Sequence, residues 1–378
     1  MKSCIGLWCC ACLFLFAGPE RASAQDARIY EPAAAWETPE LVSAPEGSLL
    51  FSDPVTRHCR NRSFYYTGLT RDGTIWIVQI FHWRYAWLDA WGVAIVVSDP
   101  DGRRFVHEGR ISERDVVESK ETLSIRFGGN RFENDGPLSR IVLRAGDFRC
   151  DLAMRPLLPP WIPGDGYAML VGGDDIYLRK AVPIPLAETR GVLQVGTRTI
   201  PADGWSYADH SLIVAPPRGL SSSGCAFRVF GQQGSDGGEP WSITLLDYAS
   251  IGGQEGQRIP MLQVAHGGQW ILTSKSYRIA FGDLVRDAAT SISYPRRIHL
   301  SAASRGYFLE GDFLLDRLIH TTDVFEHVPG LVRGVVSLFL ESPILFRMAG
   351  HFAGTLTRPD GSVESLLLAG QGEYFTVR

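Results

Sequence analysis

Apolar and polar residues alternate along most of this chain in short runs rich in Val, Ile, Thr and aromatic residues, and turn sequences separate the runs. A period of two places alternate side chains on opposite faces of a strand. The pattern predicts strands over residues 63–70, 73–83, 91–98, 122–127, 138–145 and 149–157, then over 191–200, 205–214, 226–232, 241–248, 260–265 and 269–273. Four more follow at 297–302, 306–314, 344–357 and 363–377. Arg71-Asp72-Gly73, Asp99-Pro100-Asp101-Gly102, Gly128-Gly129-Asn130 and Asn134-Asp135-Gly136 supply the turns. Many short antiparallel strands joined by hairpins favour closure into barrels, which removes edges that would otherwise aggregate.

One stretch departs from this period. From Phe325 to Met348 the apolar residues Val328, Leu331, Val332, Val335, Val336, Phe339 and Leu340 recur at three and four, with Pro329 near the first turn and Pro343 at the far end. That spacing predicts a short amphipathic helix inserted in the second half, flanking a barrel or making transient membrane contact through residues 325–348.

A chain of 378 residues exceeds what one core usually serves. The Pro-spaced run Ala181-Val182-Pro183-Ile184-Pro185-Leu186 suits a crossing between two domains. The expected organisation is a leader over 1–24, an extension over 25–40, an N-terminal domain over 41–187 and a C-terminal domain over 188–378.

Composition adds a compartment. Lys2, the apolar run from Ile5 to Gly18 and the small residues Ala22-Ser23-Ala24 form the pattern of an export signal cleaved before Gln25, so the mature protein is expected to be periplasmic or secreted. Four of the seven cysteines lie in that leader, leaving Cys59, Cys150 and Cys225; an oxidising compartment allows one disulfide, with Cys59 to Cys150 the pairing that the domain division favours. The net charge of −4 and the absence of a basic block argue against nucleic acid. The scattered arginines read as solvated charges. The dispersed histidines lack metal-ligand spacing, so no metal and no cofactor is expected, and no protein partner can be inferred.

The run Gly204-Trp205-Ser206-Tyr207-Ala208-Asp209-His210-Ser211 carries the candidate chemistry. On a regular strand Trp205, Tyr207 and Asp209 share one face while Ser206, Ala208 and His210 share the other, so acid and imidazole face apart unless a bulge re-aims one. In the first domain Trp76, Phe81, Trp83, Tyr85, Trp87 and Trp91 either pack a core or line a ligand cavity.

The segment Thr74-Ile75-Trp76-Ile77-Val78-Gln79-Ile80 after Phe64-Tyr65-Tyr66, the hairpin start Gly191-Val192-Leu193, the run from Gly204 to His210 and the later Trp241 resemble the tandem-lipocalin superfamily. That group includes fungal survival-factor proteins, bacterial secreted proteins labelled as predicted hydrolases, carotenoid 1,2-hydratases and lipocalin-like Diels–Alderases. The resemblance implies two lipocalin-like antiparallel β-barrels in tandem. The hydratase pattern Tyr-x-Asp-His-Asn is matched at Tyr207, Asp209 and His210, with Ser211 in place of Asn and Ile213 where Gly is expected.

Two readings follow. In the first, the barrels or the cleft between them bind a long apolar lipid or isoprenoid, with Trp205, Trp241, Trp76 and Trp83 as contacts. In the second, a hydratase or cyclase without a cofactor acts on an isoprenoid or polyene: Asp209, its pKa raised by burial, protonates an alkene, Tyr207, Trp205 and Trp241 steady the cation, and His210 orients the acid or assists water.

Overall fold

A computed structural model describes residues 27–28, 58–85, 88–119, 122–135, 137–162, 167–171, 176–215, 221–232, 238–250, 258–323 and 343–377. Among these the chain is almost wholly strand, with one short 3-10 turn at Glu113–Asp115.

The first sheet holds β1 (Ala27–Arg28), β2 (Cys59–Thr70), β3 (Ile75–Tyr85), β4 (Leu88–Ser98), β5 (Arg104–Ile111), β6 (Val116–Glu118) and β7 (Ser124–Phe127). It continues with β8 (Asn130–Asp135), β9 (Leu138–Ala145), β10 (Phe148–Pro156), β11 (Tyr167–Val171), β12 (Ile176–Val195), β13 (Arg198–Pro201) and β14 (Gly204–Ala215). Its antiparallel order is β5-β4-β3-β2-β14-β12-β10-β9-β8-β7-β6, and it curls into a near-closed barrel. The second sheet holds β15 (Ser221–Gln232), β16 (Pro240–Ser250), β17 (Arg258–His266), β18 (Gln269–Ser274), β19 (Tyr277–Arg286), β20 (Ser293–Ser304), β21 (Tyr307–Asp323), β22 (Pro343–Thr357) and β23 (Val363–Val377). Its order, β18-β17-β16-β15-β23-β22-β21-β20-β19, forms a half-barrel. The expected pair of antiparallel barrels is therefore present.

Alternation explains both interiors. Phe64 and Tyr66 on β2, Trp76, Val78 and Ile80 on β3, and Trp91, Val93 and Ile95 on β4 meet Phe132, Ile141, Phe148 and Leu152 inside the first barrel. Phe227, Trp241, Ile243, Leu262, Phe313 and Phe352 fill the second in the same way. Outer strands such as β9 and β10 bury one face and expose the other. Strand β14 is buried on both faces, because its outer face meets the second sheet. A third cluster joins the barrels: Leu158, Trp161, Val182, Leu186 and Tyr207 of the first pack against Ala226, Phe230, Leu246, Met261 and Ala265 of the second. Area removed from water at roughly 25 cal/mol per Å² makes these three clusters the main favourable term of the fold.

Several expectations change here. The Pro-spaced run is no linker: it is the middle of the 20-residue strand β12. Its pairing with β14 shifts register between Ala181 and Ile184 and again between Ile184 and Ala187, and such irregularities accommodate prolines that cannot donate to a ladder. Ala187 thus lies within the first sheet, and the chain changes sheet between Ala215 and Ser221. Cys59 and Cys150 are buried thiols rather than a disulfide; β2 and β10 are separated in the sheet by β14 and β12, and Cys150 points into the first barrel's core. Burial pushes both thiols up to about 12. Of the helix expected over 325–348, Pro343–Met348 open β22 instead, and the remainder lies outside the described residues, as do the leader over 1–24 and Trp87.

Candidate functional site

Between the barrels runs an alternating chain of charges, buried except for the partly buried Glu373. It starts at Lys180 on β12, whose Nζ lies 2.6 Å from Asp209 Oδ1 on β14. Arg228 on β15 donates from Nη2 to Asp209 Oδ2 at 3.1 Å and reaches Glu373 Oε2 on β23 from Nη1 at 3.3 Å. Glu373 also accepts from Arg347 Nε on β22 at 3.3 Å and from the Tyr65 hydroxyl on β2 at 3.3 Å. Arg347 then returns to the first barrel, donating to Gln79 Oε1 at 3.3 Å. The Arg228 guanidinium is held over the rings of Tyr65, at 4.5 Å, and Tyr207, at 5.0 Å. Guanidinium is the cation suited to this setting, since its flat fork pairs carboxylates and stacks on rings at once.

Period-two geometry assembles the cluster. Asp209 pairs with Tyr65, and Tyr65 with Gln79, directly across adjacent strands, so the three form one row on the outer face of the first barrel. Facing it, Arg228 pairs with Gln371 on one side and with Thr244 on the other. Gly370 and Gly372 bracket Gln371. A Cβ on Gly370 would lie 2.0 Å from the Arg228 carbonyl oxygen, and one on Gly372 would lie 2.7 Å from the Phe313 ring. The glycines therefore let β23 lie close while Gln371 between them and Glu373 after them turn to the seam.

Burial opposes the charge on Asp209, but Lys180 and Arg228 outweigh it and hold its carboxyl below the ordinary aspartate value. This corrects the expectation of a carboxyl raised by burial: Asp209 is an ionised partner, without the proton that an acid catalyst needs at neutral pH. Burial lowers the Lys180 ammonium more than Asp209 raises it. Burial and then the Asp209 charge lift the Tyr207 phenol well above its ordinary value, so it stays protonated.

Of the sequence-predicted residues, Tyr207 and Asp209 meet at this site, and Trp205 packs on the cluster that joins the barrels. His210 does not: it projects into the first barrel and stacks on Phe64 at 4.2 Å, as unbroken alternation requires. Trp76 lies in the first barrel's core and Trp241 in the second's, stacked on His266 at 4.1 Å. Trp83 stands at the far end of β3, four residues beyond Gln79. Lys180, Arg228, Arg347 and Glu373 were not singled out by the sequence reading, and Tyr65 entered it only as part of the resemblance. The signal for Arg228 and Arg347 was a lone cation inside an apolar strand run, Ala226-Phe227-Arg228-Val229-Phe230 and Leu345-Phe346-Arg347-Met348; both are buried rather than solvated.

Further buried polar groups lie on the same face of the second sheet. Gln371 and Gln263 have neither amide atom hydrogen-bonded, and the Thr273 hydroxyl and Trp270 Nε1 have no partner. A buried unsatisfied group costs about 1–3 kcal/mol, and folded proteins leave few of them. The arrangement can hold a polar ligand group by donated and accepted hydrogen bonds, against an aromatic wall formed by Trp161, Trp205, Tyr248 and Trp270.

No protein-family model matches the chain, and no curated protein matches it. Solved structures do. CghA, solved with Sch210972, superposes at a TM-score of 0.62 with 14% identity, over 89% of this chain and 94% of that one. An AttH-like protein from Nitrosomonas europaea gives a TM-score of 0.56 with 13% identity, over 89% and 98%. Kievitone hydratase from Nectria haematococca gives 0.49 with 11% identity, over 89% and 96%. The likeness to the first two spans both barrels and their order along the chain, which makes the fold of this protein that of the tandem lipocalins.

Proposed function

We propose that the protein binds a small, largely apolar molecule in the seam between its two barrels. The observation that carries this reading is the set of buried polar groups left without partners beside an aromatic wall. The barrel interiors offer less, because Trp76, Phe132 and Phe148 fill one and Trp241, Phe227, Phe313 and Phe352 fill the other. The ligand of this reading is a lipid or isoprenoid, its body on Trp161, Trp205 and Trp270. In the same reading the leader-like residues 1–24 send the protein out of the cytoplasm. Native mass spectrometry of protein purified from its own host, followed by extraction, tests the binding: a bound apolar compound that Trp205→Ala releases supports it, and retention of that compound by the variant sinks it.

A second reading is favoured by the likeness to CghA, a structure solved with Sch210972. Here the seam is the active site of a cyclase or hydratase that needs no cofactor. Asp209, ionised and paired, then acts as a fixed charge, and Arg228 with the protonated Tyr207 supplies donors where negative charge develops on the substrate. Turnover of a polyene by the wild type, lost in Tyr207→Phe with binding retained, would favour this reading over simple binding.

A further inference from the structure

The buried polar groups on the seam face of the second sheet are ordered. Gln371, Arg228, Thr244, Gln263 and Thr273 stand side by side on five neighbouring strands, each paired in register with the next. All five are at least nine-tenths buried. Adjacent strands lie about 4.8 Å apart, so Gln263 sits about 10 Å from Arg228 along the row. The two ends differ. Arg228 and Gln371 belong to the charged end, where Lys180, Asp209, Arg228, Glu373 and Arg347 alternate in sign and both termini of the chain are cations. Among the described residues, three positive groups face two carboxylates there, so one further anion balances the cluster. Gln263 and Thr273 are neutral, and each can donate and accept.

We propose that the ligand of the seam is bifunctional: an anionic carboxylate seats at Arg228 and Gln371, and a neutral hydroxyl or carbonyl about 10 Å away seats at Gln263 and Thr273. Thr244 stands between them on the row, and Phe230 and Met261 flank the row on its two sides, so the body of the ligand has apolar neighbours. The Arg228 Nε and the Gln371 Nε2, both buried without partners, are donors that a single anionic group can share, and bonds of that kind are the strong ones. This inference rests on the seam reading and adds to it the head group, the second polar group and their spacing.

Calorimetric titration of the full chain with probes of one length tests it: ω-hydroxyoctanoate carries both groups at roughly the required separation, octanoate only the anion, and octane-α,ω-diol no charge. The expected result is ω-hydroxyoctanoate binding about 10-fold tighter than either of the others. Gln263→Leu should reduce it to the level of octanoate and leave octanoate unchanged, while Gln371→Leu should weaken both acids. Thermal melting confirms that the variants fold, and the wild-type probe series stands without them. Equal affinity for the three probes, or ω-hydroxyoctanoate binding unaffected by Gln263→Leu, overturns the inference. A fluorescent polyene run in parallel separates the failures: polyene binding displaced by Trp205→Ala without a preference among the octyl probes removes only the bifunctional ligand, whereas polyene binding indifferent to Trp205→Ala removes the seam reading as well.

Discussion

The interior of the first barrel and the seam outside it are lined by the same strands, yet they are built from different chemistry. On β14, Ala208 and His210 turn inward to a core of Phe64, Trp76 and Phe132, while Tyr207 and Asp209 turn outward to Lys180 and Arg228. The inner face is held by apolar burial, which is tolerant of direction and sensitive to volume. The outer face spends charge desolvation and unsatisfied hydrogen bonds in a place where leucines would pack at lower cost. That contrast teaches where function lies: the barrel interiors stabilise the fold, and the seam retains polar groups that stability alone does not require.

The comparison can be broken most severely from the inside. Trp76 is fully buried against Gly68, and Trp76→Ala should cost about 3–5 kcal/mol, read from the urea midpoint. A loss below about 1 kcal/mol would show that the first barrel is not closely packed. In the seam, Asp209→Asn leaves the buried Lys180 and Arg228 without their shared carboxylate and should cost about 3 kcal/mol. The pair Lys180→Met with Asp209→Leu removes both charges together and should bring stability back to within about 1 kcal/mol of the wild type. If the double variant is as unstable as Asp209→Asn, the ion pair is a net stabilising element and the contrast drawn above fails.

A pH series sharpens the same point with a smaller effect. Asp209 has a folded pKa below its ordinary 3.8, so its contribution is fully present above that value and is lost as pH falls through the lower folded value. Melting temperature should therefore fall more steeply below about pH 4 in the wild type than in the Lys180→Met, Asp209→Leu variant, since only the wild type can lose this pairing. Parallel curves would mean that Asp209 is not the ionised group described here. The smallest expected effect concerns the thiols. Cys59 and Cys150 are buried and resist ionisation, so a thiol-specific dye should label neither in the native protein and added reductant should leave the melting temperature unchanged. A drop on reduction would restore the disulfide that the sequence reading favoured.

Much of the fold was legible in the sequence because strand structure is a local property. Alternation and turn residues located most strands, and a period of two fixed that Asp209 and His210 face apart, as they do. The prolines at 183 and 185 misled, since they mark bulges within β12 rather than a linker, and whether a proline ends a strand or bends it depends on the neighbour across the ladder. Burial of Arg228 and Arg347 was also out of reach. A cation inside an apolar run belongs equally to a solvated outer face and to a face covered by another sheet. The sequence by itself determined strands, turns and the sidedness of each residue along β14. Only the tertiary structure decided which outer face became a buried seam, and so turned Asp209 from a carboxyl expected to hold a proton into an ionised link between Lys180 and Arg228, because the sign of a pKa shift depends on charges brought from strands distant in the chain.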